Sequence, residues 1–161
     1  MITADKMRVM VVDDDMELLK TLGCVLEKLG CEAQVFEDPR QALNTYSECV
    51  FDLVLTDLNM PVMSGLEVLK RIRKMNPQAR VALITGCIGG EWETLAEHGG
   101  VFKIIRKPMN LSDLHSMLAE TGSRGESQPT PDRVGLTGKN SGGRCEKGTR
   151  PAGYERIENG T

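Results

Sequence analysis

The sequence lacks the features that direct a protein into a membrane or out of the cell. None of its apolar runs approaches the roughly 20 residues that a helix needs to cross a bilayer. The first residues, MITADKMRVMVVDDD, contain neither the apolar core nor the cleavage site of a signal peptide. We therefore expect the 161-residue protein to be cytoplasmic.

Cysteine ligand patterns and an excess of positive charge are also absent. The five cysteines are scattered without a CxxC pair, and the two histidines do not have the spacing of zinc ligands. The formal net charge is -3 at pH 7, which argues against a surface for nucleic acid or for a membrane. The composition therefore predicts neither a zinc site nor a direct contact with nucleic acid or membrane.

Aliphatic residues are scarce after residue 122. The segment 123–161 contains eight glycines and many Ser, Thr and Pro residues, so it cannot bury enough apolar surface to offset the entropy lost on ordering. We predict one folded domain at 1–122 and a disordered or linker-like tail at 123–161. The tail carries seven Lys/Arg and five Asp/Glu, which leaves a net charge of -5 on residues 1–122.

Residues 1–122 alternate between short apolar runs and segments whose apolar residues have helical spacing. Strands are predicted at 7–12, 32–36, 52–56, 80–85 and 101–105, and helices at 16–29, 39–47, 65–75, 91–98 and 110–121. Five β-α units of this kind predict an α/β fold. The apolar runs are continuous, which is typical of a parallel sheet covered by helices on both faces.

The second predicted strand is followed by Glu37 and Asp38, which look like the entry to a helix. The polar side chains at the ends of the other four predicted strands are Asp13, Asp14, Asp15, Asp57, Thr85 and Lys107. Taken singly, each has an ordinary explanation: Asp14 or Asp15 as a helix cap, Asp57 and Thr85 as turn residues, and Lys107 as a solvated lysine. Parallel strands, however, end on one edge of a sheet, where ligands bind. Capping gives no reason for such a convergence, so we interpret the group as a functional site.

The charges of this group favour a divalent cation. Asp13, Asp14 and Asp57 would repel one another and raise the pKa of at least one carboxyl group. Mg²⁺ would relieve the repulsion, and it prefers oxygen ligands. Asp57 lies at the centre of the edge, where a carboxylate oxygen near Mg²⁺ can attack phosphorus and form an aspartyl phosphate. Lys107 and the Thr85 hydroxyl are suited to bind the resulting dianion.

Four stretches of the chain carry a resemblance to a known family. They are VVDDD (11–15), DLVLTDLNMPVMSGLEVL (52–69), ALITG (82–86) and GVFKIIRKP (100–108). Together they resemble the receiver domain of bacterial two-component response regulators of the chemotaxis-regulator type. The resemblance spans 7–121, and the run D-x-N-M-P-x-M-S-G is its most specific part. It implies a flavodoxin-like fold with five helices and strand order 2-1-3-4-5.

The resemblance implies roles for the acidic residues. Asp57 resembles the phosphoacceptor of the family. Asp14 resembles the direct carboxylate ligand of Mg²⁺, and Asp13 helps to hold the ion, largely through water. Asn59 is implied to offer its backbone carbonyl to the metal.

Further positions concern the bound phosphoryl group and its readout. Thr85 resembles the switch hydroxyl that moves toward the phosphate. Lys107 resembles the phosphate-binding lysine, whose bond to Pro108 is typically cis. The sequence departs from the family in three places. Ile104 replaces the usual switch aromatic, and Gly86 stands where an alanine usually follows the threonine. The third place is the pair Asn59 and Cys87, at positions that tune phosphate lifetime in the family.

A phosphorylation switch is the leading functional interpretation. A sensor histidine kinase or phosphotransfer protein would phosphorylate Asp57. The face formed by the fourth predicted helix, the fifth strand and the fifth helix would then change its preference for a downstream protein target. Such a receiver catalyses only its own phosphoryl transfer and dephosphorylation, so we do not expect an enzyme. The sequence leaves open whether the receiver acts alone or belongs to a longer regulator.

Two alternative functions have different signatures. A phosphatase or phosphotransferase of the haloacid-dehalogenase type needs a second Asp two residues after the nucleophile, and this chain has Asn59 there. A degenerate receiver would serve only as a phosphorylation-independent docking module. The intact set of Asp57, Thr85 and Lys107 argues against that second alternative.

Overall fold

The computed structural model describes residues 6–86 and 100–122. Within them the strands are β1 (Arg8–Val12), β2 (Glu32–Phe36), β3 (Leu53–Asp57), β4 (Val81–Thr85) and β5 (Lys103–Arg106). The helices are α1 (Met16–Lys28), α2 (Pro39–Glu48), α3 (Gly65–Met75) and α4 (Leu111–Gly122). The helix predicted at 91–98 and the tail predicted at 123–161 lie outside the described residues. None of the helices described is long and apolar enough to span a bilayer.

All five strands of the described residues join one parallel sheet in the order β2-β1-β3-β4-β5. This order confirms the predicted flavodoxin-like fold. Every residue of β3 and β4 is buried, because helices cover both faces of the central strands. Several boundaries differ from the prediction by one or two residues. Among them, β5 begins at Lys103, and Asp57 is the last residue of β3 instead of the residue after it.

The two faces of the sheet form separate apolar cores. Successive side chains of a strand point to opposite faces, so β1 and β3 contribute alternate residues to each core. The core on the α1 and α4 face includes Val9, Val11, Leu53 and Leu55. The core on the α2 and α3 face includes Met10, Val12 and Val54. This alternation keeps the strands fixed while their carboxyl ends remain free for other side chains.

Polar caps and glycine determine where the helices begin and end. Asp15 Oδ1 accepts hydrogen bonds from two backbone N–H groups in the first turn of α1, at 3.0 and 3.2 Å. Gly30, with φ +83°, follows the end of α1, where a residue in the left-handed region commonly ends a helix. Asn110 Oδ1 accepts a hydrogen bond from the Asp113 N–H at 2.8 Å. Asn110 therefore caps the first turn of α4.

Candidate functional site

The carboxyl ends of the strands bring four of the predicted site residues together. Asp13 comes directly after β1 and Asp57 ends β3, and these two strands pair in parallel. Thr85 ends β4, and Lys107 comes directly after β5. Because neighbouring parallel strands end at one edge, the four side chains lie on a common site.

Backbone hydrogen bonds extend the sheet beyond the strand ends at this site. The Asp13 N–H donates to the Phe36 carbonyl at 3.1 Å, and the Lys107 N–H donates to the Thr85 carbonyl at 2.7 Å. The site residues are therefore attached to the sheet and not to free loops. A rigid attachment of this kind holds functional groups in place at little further entropy cost.

A single ammonium group bridges two carboxylates at the centre of the site. Lys107 Nζ lies 3.0 Å from Asp13 Oδ2 and 3.0 Å from Asp57 Oδ1. The side chains of Asp13 and Asp57 are buried, whereas the side chain of Lys107 is 30% exposed to solvent. The peptide bond between Lys107 and Pro108 is cis. The two buried carboxylates thus share one partly solvated cation.

A third carboxylate completes an oxygen-rich cluster. Asp13, Asp14 and Asp57 each offer an oxygen, and these atoms lie within 4.8 Å of one another. Asp14 is exposed, while Asp13 Oδ1 accepts a hydrogen bond from the Asp15 N–H at 2.9 Å. Carboxylate oxygens are the ligands that Mg²⁺ prefers, and it typically uses one or two of them. The donor set therefore fits Mg²⁺.

Burial and charge shift the pKa values of two groups in the cluster. Burial raises the pKa of Asp57, and the negative charges of Asp13 and Asp14 act in the same direction, while the hydrogen bond from Lys107 opposes them. Burial alone would lower the pKa of Lys107, but its bonds to Asp13 and Asp57 outweigh this, so its pKa lies above the ordinary value. The ammonium group therefore stays charged at neutral pH.

The loop between β3 and α3 is anchored by its methionines. Met60 and Met63 are buried in the core under α2 and α3, whereas Asn59 and Val62 face solvent. Ser64 Oγ accepts a hydrogen bond from the Glu67 N–H at 3.3 Å and caps α3. Asn59 thus lies at the surface two residues after Asp57, in a loop that is fixed at both ends.

Two other predicted positions lie along β4 and β5. The Thr85 residue is 1% exposed at the end of β4. Ile104 pairs with Leu83 in the sheet register and packs against the small cluster of Leu58 and Leu83. Ile104 of β5 therefore packs against an aliphatic cluster that includes Leu58, the residue that follows Asp57.

Comparison with known proteins identifies the family. The sequence profile of the response regulator receiver domain matches residues 9–119. The chain belongs to this family. The receiver is 33% identical over 143 residues to the transcriptional regulatory protein ZraR of Escherichia coli K12, a match that covers 85% of this chain and 32% of ZraR. It is 30% identical over 107 residues to the response regulator receiver protein CpdR of Brucella abortus, which covers 66% of this chain and 89% of CpdR.

A solved structure supports the fold of the receiver. The chemotaxis protein CheY4 of Vibrio cholerae superposes with a TM-score of 0.68 at 26% identity, covering 73% of this chain and 99% of CheY4. The chain spans about a third of the length of ZraR. Receiver domains are signalling modules, and an acidic pocket for Mg²⁺ is typical of them. The cluster of Asp13, Asp14 and Asp57 is consistent with that pocket.

Two residues beside Asp57 contribute to the receiver site without having been predicted to do so. Thr56 is fully buried, and its hydroxyl donates to the Asp57 carbonyl at 3.2 Å. Gly65, the first residue of α3, packs directly on the same carbonyl. A threonine in a strand and a glycine after a helix cap are ordinary signals in a sequence. Only the distances between elements reveal their role.

Proposed function

We propose that this receiver is a phosphorylation-dependent signalling switch and that Asp57 is its phosphoacceptor. One observation carries the proposal: the Asp57 residue is 5% exposed, and its carboxylate lies 3.0 Å from Lys107 Nζ beside oxygens of Asp13 and Asp14. A carboxylate that is buried and held in one orientation is suited to act as a nucleophile. The position of Asp57 at the carboxyl end of the central strand also leaves it open to a ligand.

The other residues of the site have complementary proposed roles. Asp13 and Asp14 hold Mg²⁺ together with Asp57 and the backbone carbonyl of Asn59. When bound, Mg²⁺ supplies positive charge to the phosphoryl oxygens. An oxygen of Asp57 attacks the phosphorus of a phosphohistidine, and the P–N bond breaks as the O–P bond forms. Lys107 then donates to a phosphoryl oxygen.

The proposed output is a change in the surface of the receiver. The phosphoryl group carries a charge of about -1.5 to -2, toward which the Thr85 hydroxyl moves. To shift a population from 1:99 to 99:1 requires roughly 5.5 kcal/mol of differential stabilisation. Hydrogen bonds to charged groups contribute about 1.5–3 kcal/mol each, so two or three new ones are sufficient. Ile104 lacks an aromatic ring, so the readout uses aliphatic packing at that position.

The proposed partners are proteins. A sensor histidine kinase or phosphotransfer protein supplies the phosphoryl group, and a downstream protein binds the face formed by the helix predicted at 91–98 together with β5 and α4. The net charge of -5 on residues 1–122 supports a protein partner over nucleic acid or a membrane. The chain catalyses only its own phosphoryl transfer and dephosphorylation, and we place it in the cytoplasm.

Two alternatives are less well supported by the site. A phosphatase of the haloacid-dehalogenase type needs a carboxylic acid at position 59, where an asparagine stands. A phosphorylation-independent docking module has no need of an ammonium group held between two buried carboxylates. Such an arrangement carries a desolvation cost, and phosphoryl transfer accounts for it.

Chemical phosphorylation tests the assignment of Asp57. The protein is incubated with acetyl phosphate and Mg²⁺, and bound phosphoryl group is measured by intact-protein mass. We expect the parent protein to be labelled, Asp57→Asn to be unlabelled, and chelation of Mg²⁺ to abolish labelling. Asp38→Asn is the matched control, because Asp38 also follows a strand and caps α2, and asparagine caps a helix equally well.

The outcomes separate the alternatives. Labelling of Asp57→Asn to the level of Asp38→Asn would show that another residue accepts the phosphoryl group. A parent protein that takes up no label in the presence of Mg²⁺ would favour the docking module.

A further inference from the structure

The backbone carbonyl of Asp57 is enclosed by the start of α3. A Cβ atom built on Gly65 would lie 2.3 Å from the Asp57 carbonyl oxygen, 3.0 Å from its carbonyl carbon and 3.1 Å from the Leu58 Cα. All three atoms belong to the backbone, so none can turn aside as the end of a long side chain can. Only the hydrogen of a glycine fits at position 65.

The start of α3 is itself held firmly against β3. The Gly65 N–H donates to the Leu58 carbonyl at 2.9 Å, which closes the loop back onto the residue after Asp57. Farther along α3, Val68, Leu69 and Ile72 are 0–1% exposed in the core. Any movement that makes room for a side chain at position 65 must therefore displace either the buried helix or the backbone at Asp57.

A second group contacts the same carbonyl oxygen. The Thr56 hydroxyl donates to the Asp57 carbonyl at 3.2 Å, and Thr56 is fully buried. Side chains alternate along a strand, so Thr56 lies on the same face as Val54, in the direction of α3. The Asp57 carbonyl is thus contacted by the Thr56 hydroxyl and by the Gly65 backbone.

We propose that Gly65 and Thr56 are positioning residues that orient the carboxylate of Asp57. The inference rests on the proposed role of Asp57 as phosphoacceptor. The peptide planes on the two sides of Asp57 together fix the direction of its Cα–Cβ bond, and hence where its oxygens lie relative to Lys107. The plane before Asp57 is held in β3, and Thr56 and Gly65 contact the carbonyl of the plane after it. The same plane leads into the loop that carries Asn59. A misplacement of about 1 Å in a reacting group can cost about a hundredfold in rate.

Two substitutions and a matched control test this role in the full chain. Gly65→Ala adds the methyl group that does not fit, and Thr56→Val removes the hydroxyl at nearly constant volume. Gly23→Ala is the control, because it makes the same Gly→Ala substitution at another buried helical glycine. A Cβ atom there would meet only a Val35 methyl group at an ordinary 3.5 Å. Urea unfolding curves first establish conditions under which each variant is folded.

The rate constant for labelling by acetyl phosphate is then measured at saturating Mg²⁺ over a range of donor concentrations. We expect Gly65→Ala to lower the maximum rate by about tenfold to a hundredfold, with a smaller change in the half-saturating donor concentration. Thr56→Val should lower the maximum rate several-fold, and Gly23→Ala should leave it unchanged. If the two residues have a purely structural role, their substitution lowers the urea midpoint of unfolding but leaves the labelling rate constant of the folded protein at the parental value.

Each outcome bears on one of the two hypotheses. If the parent protein is not labelled, the proposed function is refuted, and so is the positioning role that rests on it. A parent that is labelled, with both variants reacting at the parental rate, overturns the positioning role alone. If Gly65→Ala does not fold, Thr56→Val decides the matter, and a parental rate for that variant overturns the proposal.

Discussion

Replacing Lys107 by methionine tests the electrostatics of the receiver site most directly. The substitution keeps an unbranched side chain of similar length and removes the ammonium group that lies 3.0 Å from both Asp13 and Asp57. The two buried carboxylates of Asp13 and Asp57 then lie close to each other and to the exposed Asp14, and no ammonium group separates them. We expect Lys107→Met to be destabilised when no divalent cation is bound.

The structure sets the size of this effect. Removing one partner of a buried ion pair costs about 3–5 kcal/mol, because the other charge remains buried. The Lys107 side chain is 30% exposed, so water already screens part of the interaction, as it does for surface pairs that contribute only about 0–1 kcal/mol. We therefore expect a loss of about 2–3 kcal/mol at neutral pH. With a urea dependence of about 1–3 kcal/mol per molar, the midpoint falls by about 1 M.

The pH dependence follows from the direction of the two pKa shifts. The folded-state pKa of Lys107 is raised, so its contribution is complete below the ordinary value and is lost only as the pH rises through the raised one. The pKa of Asp57 is raised by burial, and without Lys107 it rises further. Protonation of Asp57 removes one unpaired charge. The difference in unfolding free energy between the parent and Lys107→Met therefore becomes smaller as the pH falls through the raised pKa of Asp57.

The assay is urea unfolding followed by far-ultraviolet circular dichroism, with chelator and again with Mg²⁺. Lys103→Met is the matched control: Lys103 begins β5, the strand that Lys107 directly follows, and its side chain is 31% exposed. Its ammonium group lies 2.6 Å from Glu120, which is 52% exposed. Loss of an exposed ion pair of this kind should lower the free energy of unfolding by about 1 kcal/mol or less. Mg²⁺ should restore part of the stability of Lys107→Met only.

Two results would refute the reasoning about Lys107. One is a deficit at neutral pH no larger than that of Lys103→Met. The other is a deficit that grows on mild acidification, because protonation of Asp57 must relieve the unpaired charge and not add to it.

Two further substitutions test contacts away from the site. Arg80→Met should lower the free energy of unfolding by about 1–2 kcal/mol and speed hydrogen exchange in the last turn of α4. The reason is that the Arg80 guanidinium donates to the Thr121 carbonyl and lies 5.5 Å from the centre of the Phe102 ring. As a control, Arg71→Met, at an exposed position, should stay within about 0.5 kcal/mol of the parent. Gly30→Ala should cost about 1 kcal/mol in urea unfolding, because φ is +83° there. Gly86→Ala meets open space without a positive φ and should be close to neutral, so equal losses at the two glycines would contradict the backbone argument.

The strand ends of this receiver are predictable from sequence because they follow from two simple patterns. Continuous apolar runs locate β1, β3 and β4, and parallel strands must end on one edge. These patterns place Asp13 and Asp57 close together before any coordinates are considered. They do not divide the roles of three consecutive aspartates. The structure shows that Asp15 caps α1, whereas Asp13 bonds to Lys107 and Asp14 stays exposed.

The contacts on the backbone of Asp57 are not predictable in the same way. Gly65 contributes through the absence of a side chain, and the distance that makes this absence necessary depends on how α3 seats against β3. Hydrophobic periodicity indicates which face of α3 is buried, but it carries no information on the separation of the two backbones. The Thr56 hydroxyl is hidden for a related reason, since a threonine is an ordinary residue in a strand.

The ammonium group shared by two carboxylates also determines the total charge of the site. With the three aspartates ionised, the cluster and Lys107 together carry a net charge of -2, which one divalent cation would balance and a monovalent cation would not. Phosphorylation replaces the single charge of Asp57 by about -1.5 to -2, so the balanced site would become negative again by up to about one unit. That remaining unit has no cation of its own among Asp13, Asp14, Asp57 and Lys107. A neutral donor from outside the cluster can meet it, and Thr85, at the end of the adjacent strand, carries a hydroxyl group suited to this.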